Sequence, residues 1–208
     1  MPYFPFFIDI ENKPCLIVGG GKIALHKIKK LLPFSPDITV VSADFCSEIS
    51  HMENLKLIKR NFKADDTECM SIVIAATDDE SVNSEVSEIC KEKNILCNVV
   101  DSPGDCGFFF PALAQCGDIT VGVSTSGKSP LMASYIRRQV QKIITAEMAD
   151  ICSLMGNVRP YVKQKFSDEK KRAFVMSDVF DYCMECEQIP DEQKLLEFID
   201  SLEMKAWR

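Results

Sequence analysis

Short apolar runs rich in β-branched residues alternate with amphipathic segments up to about residue 110, and beyond about residue 130 apolar positions recur almost only at helical spacing. The runs predict strands at Cys15 to Val18, Ile38 to Val41, Leu55 to Lys59, Ile72 to Ala76 and Leu96 to Val100. Ala24, Ile28, Leu31 and Leu32 make a helical stripe over about Lys22 to Leu32, which Pro33 follows, and Val82, Val86 and Ile89 mark a helix after the fourth strand. Strands alternating with helices imply right-handed crossovers in a mostly parallel sheet, a doubly wound α/β domain. Ile119 to Val123 reads as one more strand. Pro130 then opens a helix whose predicted apolar face is Leu131, Tyr135, Val140, Ile143 and Ile144. Three further helices are predicted at about 147–158, 168–186 and 191–204, with Pro160 and Pro190 as breaks.

Composition narrows the class without naming a function. The 208 residues are 46% hydrophobic and 26% charged, enough for a sizeable core and unlike a disordered chain. No apolar run approaches the roughly 20 residues of a membrane helix, and Met1 to Phe7 lacks the features of a signal peptide, so the expected compartment is the cytoplasm. A net charge of -7 argues against a broad phosphate-neutralising face, so no nucleic-acid partner is expected, while a local basic pocket is still allowed. The ten cysteines are scattered from Cys15 to Cys186 in a chain too long to need staples, and are read as reduced packing thiols.

Gly19-Gly20-Gly21-Lys22-Ile23-Ala24 has the form G-x-G-x-x-A and lies between a strand and a helix. That chemistry needs a tight turn at Gly19, bare backbone at Gly21 for a pyrophosphate and a small residue at Ala24, with helix N–H groups facing the anion. The domain is thus expected to be Rossmann-like and to hold a dinucleotide. Asp44, just past the second strand, is the candidate carboxylate for the adenosine ribose. No Lys or Arg occurs between Lys30 and Lys56 to meet a 2′-phosphate, so NAD is expected over NADP. Ligands of such sheets bind beyond the carboxyl ends of the strands, where Thr77 to Asp79 and Asp101 to Pro103 should also gather. Asp101 has two readings: a proton acceptor while a hydride leaves, or a cap for the Ser102-Pro103-Gly104 turn.

Gly122 to Ser129 formally matches the phosphate-loop pattern G-x-x-x-x-G-K-[ST], with Lys128 on phosphate and Ser129 on magnesium. The helical character of everything after it argues for the plainer reading, a polar loop in which Ser124, Thr125 and Lys128 bind an anionic substrate. Cys183-x-x-Cys186 is half of a zinc site, and with only His26 and His51 in the chain no metal centre is expected.

Several ordered motifs resemble one family. They are Phe6-Phe7-Ile8-Asp9, Cys15 to Gly21, Ala75-Ala76-Thr77-Asp78-Asp79, Cys97 to Pro103, Phe109-Phe110-Pro111-Ala112 and Val123 to Pro130. Together they are similar to precorrin-2 dehydrogenase, the NAD-dependent module of siroheme synthase that also occurs as a free-standing protein. The resemblance implies oxidation of precorrin-2 to sirohydrochlorin with NAD, toward siroheme or a cobalamin-type tetrapyrrole, with ferrochelatase activity in some members. It implies a homodimer with exchanged segments and a helical C-terminal part walling the substrate cleft. By position, Lys22, Ile23, Ala43 and Asp44 would contact NAD, Asp101 would be the active-site carboxylate and Thr125 would lie in the substrate loop. Gly19, Gly21, Thr77 and Asp78 complete the expected cofactor set. Arg137 and Arg138 join Ser124, Thr125 and Lys128 as expected ligands for a substrate rich in carboxylates. The expected division is an NAD domain at 1–113, a dimerisation segment of strand plus helix at 114–146 and an all-helical domain at 147–208, with no room for a methyltransferase domain. A non-catalytic NAD-sensing module is the alternative, with a phosphate-loop hydrolase behind it.

Overall fold

The computed structural model describes residues 3–202. The chain divides into two compact units, Phe4–Phe110 and the chain from Pro111 onward.

In the first unit, β1 (Pro14–Val18), β2 (Asp37–Ser42), β3 (Lys56–Lys59), β4 (Ile72–Ala75) and β5 (Leu96–Val99) form one parallel sheet in the order β3-β2-β1-β4-β5. α1 (Lys22–Leu31) and α3 (Glu80–Glu92) pack on opposite faces, and a single turn of helix, α2 (Ser47–Ser50), follows β2. The apolar runs are continuous because alternate residues enter two cores. Cys15 and Ile17 join Ala24 and Ile28 of α1, while Leu16 and Val18 join Val86 and Cys90 of α3. The strand order reverses between β1 and β4, which places a crevice at their carboxyl ends.

The second unit opens with a hairpin. β6 (Ala112–Cys116) pairs antiparallel with β7 (Ile119–Val123), Ala112 opposite Val123. Sequence reading misses β6 because Ala-Leu-Ala-Gln-Cys has no β-branched residue to mark it. α4 (Pro130–Ile143) packs on this hairpin. The predicted apolar face of α4 proves to be two faces. Val140 and Ile144 are half-buried, whereas Leu131, Tyr135 and Ile143 are exposed.

α5 (Ala146–Lys165), α6 (Glu169–Glu185) and α7 (Glu192–Ser201) share a core built on Val158, Val162, Phe166, Val175, Val179, Leu195 and Ile199. Pro160 does not break α5 as expected; the helix runs through it to Lys165. A helix-interior proline costs roughly 3 kcal/mol, whereas fully burying Val158, Val162 and Phe166 returns roughly 1.5–3 kcal/mol each. Packing therefore outweighs the local penalty. The last two positions of the helix predicted at 191–204 lie outside the described residues. All ten cysteines are free. Burial, helped by Asp37, pushes the Cys15 thiol up to about 11, and the hydrogen bond between Cys97 and Cys90, followed by burial, raises the Cys97 thiol.

Candidate functional site

The carboxyl ends of β1, β2, β3 and β4 open onto a cleft of about 940 Å³, within the range of ligand sites. Gly19, Gly21, Lys22, Ile23, Ala43, Asp44, Thr77 and Asp78 all line it. Gly19 has φ +117°, and a Cβ there would stand 2.3 Å from the Ala76 carbonyl oxygen, so only glycine lets β1 leave the sheet beside β4. A Cβ on Gly20 would meet the Asp44 carbonyl oxygen at 2.1 Å. This requirement is invisible in the motif, where the second position is free. A Cβ on Gly21 would meet nothing within 4 Å, leaving open space over bare backbone.

α1 begins at that opening with no side-chain cap and no acidic residue in its first turn. The other helices of ten or more residues are each capped, α3 by Asp79, α4 by Ser129, α5 by Thr145, α6 by Asp168 and α7 by Asp191. The first N–H groups of α1 are therefore available to an anion, reinforced by the helix dipole. Open backbone at Gly21, uncapped N–H groups and a carboxylate past β2 fit the pyrophosphate and ribose of a dinucleotide.

Not every lining side chain is equally available. The Thr77 hydroxyl donates to Asn83 Oδ1 at 2.8 Å, and Asn83 Nδ2 donates back to the Thr77 carbonyl at 3.0 Å, which locks the turn after β4. Asp79 accepts from the Ser81 hydroxyl and from the Ser81 and Val82 N–H groups, and these bonds hold its carboxyl below the usual range. Phe45, Asn61 and Phe62 also line the cleft, and sequence reading misses them because they come from loops without a motif.

A cation reaches Asp44 from the neighbouring strand. Lys59 at the end of β3 places Nζ 3.0 Å from Asp44 Oδ1, so the parallel pairing of β2 and β3 supplies the positive charge that the local sequence lacks.

Asp101 lies on the same sheet edge, two residues past β5, exposed and in the left-handed conformation at φ +59°. Aspartate tolerates that region better than most residues, at a cost of roughly 1–3 kcal/mol that the surroundings must hold. Those surroundings are specific. The single Cys106 S–H has the carbonyls of Val99 and Ser102 within reach as acceptors, at 3.2 and 3.4 Å, and the sulfur accepts from the Val99 N–H, while Ser102 Oγ donates to Asp105 Oδ2 at 2.7 Å. Lys91 completes the network with a 2.8 Å ion pair to Asp105. None of these bonds uses the Asp101 carboxylate, so it does not cap its own turn. Lys27 donates to Asn98 Oδ1 at 3.1 Å and lies 4.5 Å from the Phe110 ring centroid. Asn98 Nδ2 in turn donates to the Phe108 carbonyl, tying the returning chain to β5. Burial, then the charge of Lys30, lowers the Lys27 ammonium pKa, and Cys106 and Asp101 oppose that shift.

Ser124, Thr125, Lys128, Arg137 and Arg138 belong to the second unit. Thr125 Oγ1 donates to the Ser129 carbonyl at 3.0 Å and closes the loop, Ser126 and Gly127 adopt positive φ, and Lys128 is exposed. Ser129 Oγ accepts from the Met132 N–H as the α4 cap, and β7 belongs to a two-stranded antiparallel hairpin. A phosphate loop needs that hydroxyl for magnesium and a parallel sheet behind it, so the triphosphate reading fails. Arg138 donates to Ser134 Oγ, and Arg137 is half-buried. Among the described residues no group of three or more His, Cys, Asp or Glu is placed to hold a metal ion.

A family model described as "Putative NAD(P)-binding" matches residues 6–112, and one described as "Sirohaem biosynthesis protein central" matches residues 117–143. The siroheme synthase of Vesicomyosocius okutanii subsp. Calyptogena okutanii (strain HA) is 35% identical over 183 residues, covering 86% of this chain and 39% of that one. The siroheme synthase of Pseudoalteromonas translucida (strain TAC 125) is 37% identical over 184 residues, covering 87% and 39%. The chain thus spans about two fifths of the length of these curated relatives. The solved structure of "SirC, precorrin-2 dehydrogenase" superposes with a TM-score of 0.73 over 96% of this chain and 100% of that one, at 21% identity, a likeness of fold.

Proposed function

Because this chain belongs to the putative NAD(P)-binding family that its residues 6–112 match, we propose that it oxidises precorrin-2 to sirohydrochlorin with NAD, in siroheme synthesis. The observation that carries this reading is the Asp101 carboxylate, unused by its own turn and held on the same sheet edge as the Gly19-to-Asp44 cleft. Bound in that cleft, NAD supplies the acceptor for the hydride of a two-electron oxidation. The Gly21 backbone and the first N–H groups of α1 bind the pyrophosphate, and Asp44 accepts from a ribose hydroxyl. Lys22, Ile23, Ala43, Thr77 and Asp78 line the rest of the dinucleotide path. Asp101 takes the proton that leaves the substrate as the hydride departs. Ser124, Thr125, Lys128, Arg137 and Arg138 offer hydroxyls and cations to substrate carboxylates.

The working form in this reading is a cytoplasmic homodimer with exchanged segments. Among the described residues no helix is long and apolar enough to cross a membrane. Leu131 is 85% exposed, and Met132, Tyr135, Ile136 and Ile143 extend the same apolar face of α4, a surface suited to a second copy of residues 114–146. Anaerobic incubation with precorrin-2 and NAD, followed by absorbance, tests the reaction. Appearance of sirohydrochlorin with NADH supports it, and no change on adding NAD sinks it. Ferrous ion added afterwards, as substrate, reads out whether metal insertion accompanies the oxidation.

A further inference from the structure

We propose that Lys59 is a second specificity residue of the cleft, setting with Asp44 which dinucleotide binds. The inference rests on the dinucleotide reading above and deepens it. Parallel pairing puts Lys59 opposite Ser42 at the end of β2, and Asp44 lies two residues further along the chain. Lys59 Nζ meets Asp44 Oδ1 at 3.0 Å, and Asp44 lines the cleft. The neighbouring cation, Arg60, is committed elsewhere. Its guanidinium holds Asp66 through two hydrogen bonds of 2.6 and 2.8 Å and also donates to the Asn61 carbonyl. Lys59 is therefore the cation at this strand end that a ligand can recruit.

The side chains of Lys59 and Asp44 are 70% and 89% exposed, so their pair is screened and commits neither group. With NAD, Asp44 accepts from the ribose hydroxyls while Lys59 restrains its carboxylate. With NADP, the 2′-phosphate adds close to two negative charges beside Asp44. Asp44 then repels the ligand and Lys59 attracts it, so the pair settles the balance between the two dinucleotides. Removing Asp44 frees Lys59 to bind the phosphate.

The test is calorimetric titration of the full chain with NAD and with NADP, in the absence of tetrapyrrole, for wild type, Lys59→Gln, Asp44→Asn and the double variant. Circular dichroism confirms that each is folded. Lys59→Gln should weaken NADP binding about tenfold, the scale of a charge-assisted phosphate contact, and NAD binding by no more than about threefold. Asp44→Asn should strengthen NADP binding by about tenfold, and the double variant should lose that gain. Raising the salt concentration should shrink both differences. NAD binding with an NADP-to-NAD ratio unmoved by Lys59→Gln in either background overturns this inference alone. Failure of both dinucleotides to bind wild type overturns the reading of the cleft as well.

Discussion

In the Phe4–Phe110 unit the central strands bury both of their faces, with Leu16 and Ile17 fully enclosed on opposite sides of β1. In the unit from Pro111 onward, α5, α6 and α7 enclose a core of their own, yet α4 buries only Ala133 fully and leaves Leu131, Tyr135 and Ile143 exposed. The first unit places its special residues around a ligand cleft, and its exposed large apolar side chains are Phe4, Phe6, Phe7, Ile8, Ile23 and Phe109 rather than the face of one helix. The second carries an apolar face that one chain does not cover. Under the proposed homodimeric dehydrogenase, the difference says where to expect each kind of damage: loss of chemistry or of fold in the first, loss of association in the second.

The largest expected effect tests the chemical part of this contrast. Asp101→Asn keeps a residue that tolerates positive φ, so turnover should fall by roughly 10²–10⁴-fold, the range for a general acid or base, while NAD affinity changes little. Steady-state kinetics beside NAD titration checks this, and unchanged turnover removes Asp101 from the reaction. Next in size, Gly19→Ala should destabilise by about 3 kcal/mol or more in urea unfolding, because it adds a backbone clash to a strained φ. Gly21→Ala is its counterpart. It should leave the unfolding midpoint in place and weaken dinucleotide binding, since the new methyl enters open space where the phosphates approach.

Leu131→Glu with Tyr135→Glu should weaken self-association by more than about thirtyfold, a hot-spot effect, in sedimentation equilibrium. Thermal unfolding of the Phe4–Phe110 unit should be unaffected, and an unaltered dimer would remove α4 from the interface. The smallest effect concerns acid stability. The Arg60 guanidinium, bonded to Asp66, holds that carboxyl below its ordinary value, so its stabilisation is present above the unfolded pKa near ~4 and is lost as pH falls through the folded value. Thermal melts between about pH 2 and 5 should show a flatter acid limb for Asp66→Asn than for wild type.

Much of the first unit was legible because its signals are local. Three of its strands, β1, β2 and β4, hold runs of contiguous β-branched and apolar residues, and Gly19 to Ala24 places every requirement of a close phosphate approach within six positions. Other parts were not legible, for identifiable reasons. β6 lacks β-branched residues and exists through its pairing with β7. Pro160 is a local stop signal overruled by the burial of Val158 and Val162. The predicted α4 stripe divides into two faces because a periodicity shows that a helix is amphipathic, not which arc meets the hairpin. In the site, Gly20 is a free position of the motif, and only the Asp44 carbonyl packed against it makes glycine necessary.

The sequence by itself determined the parallel α/β sheet, the glycine turn and a carboxylate after the second and the last strand of that sheet, because each depends on residues close together in the chain. Only the tertiary structure decided that Lys59 meets Asp44, that the Asp101 carboxylate is left unused by its turn, and that Leu131 and Tyr135 face outward. These depend on contacts between segments far apart in sequence, which exist only once hydrophobic burial has brought the strands and helices together.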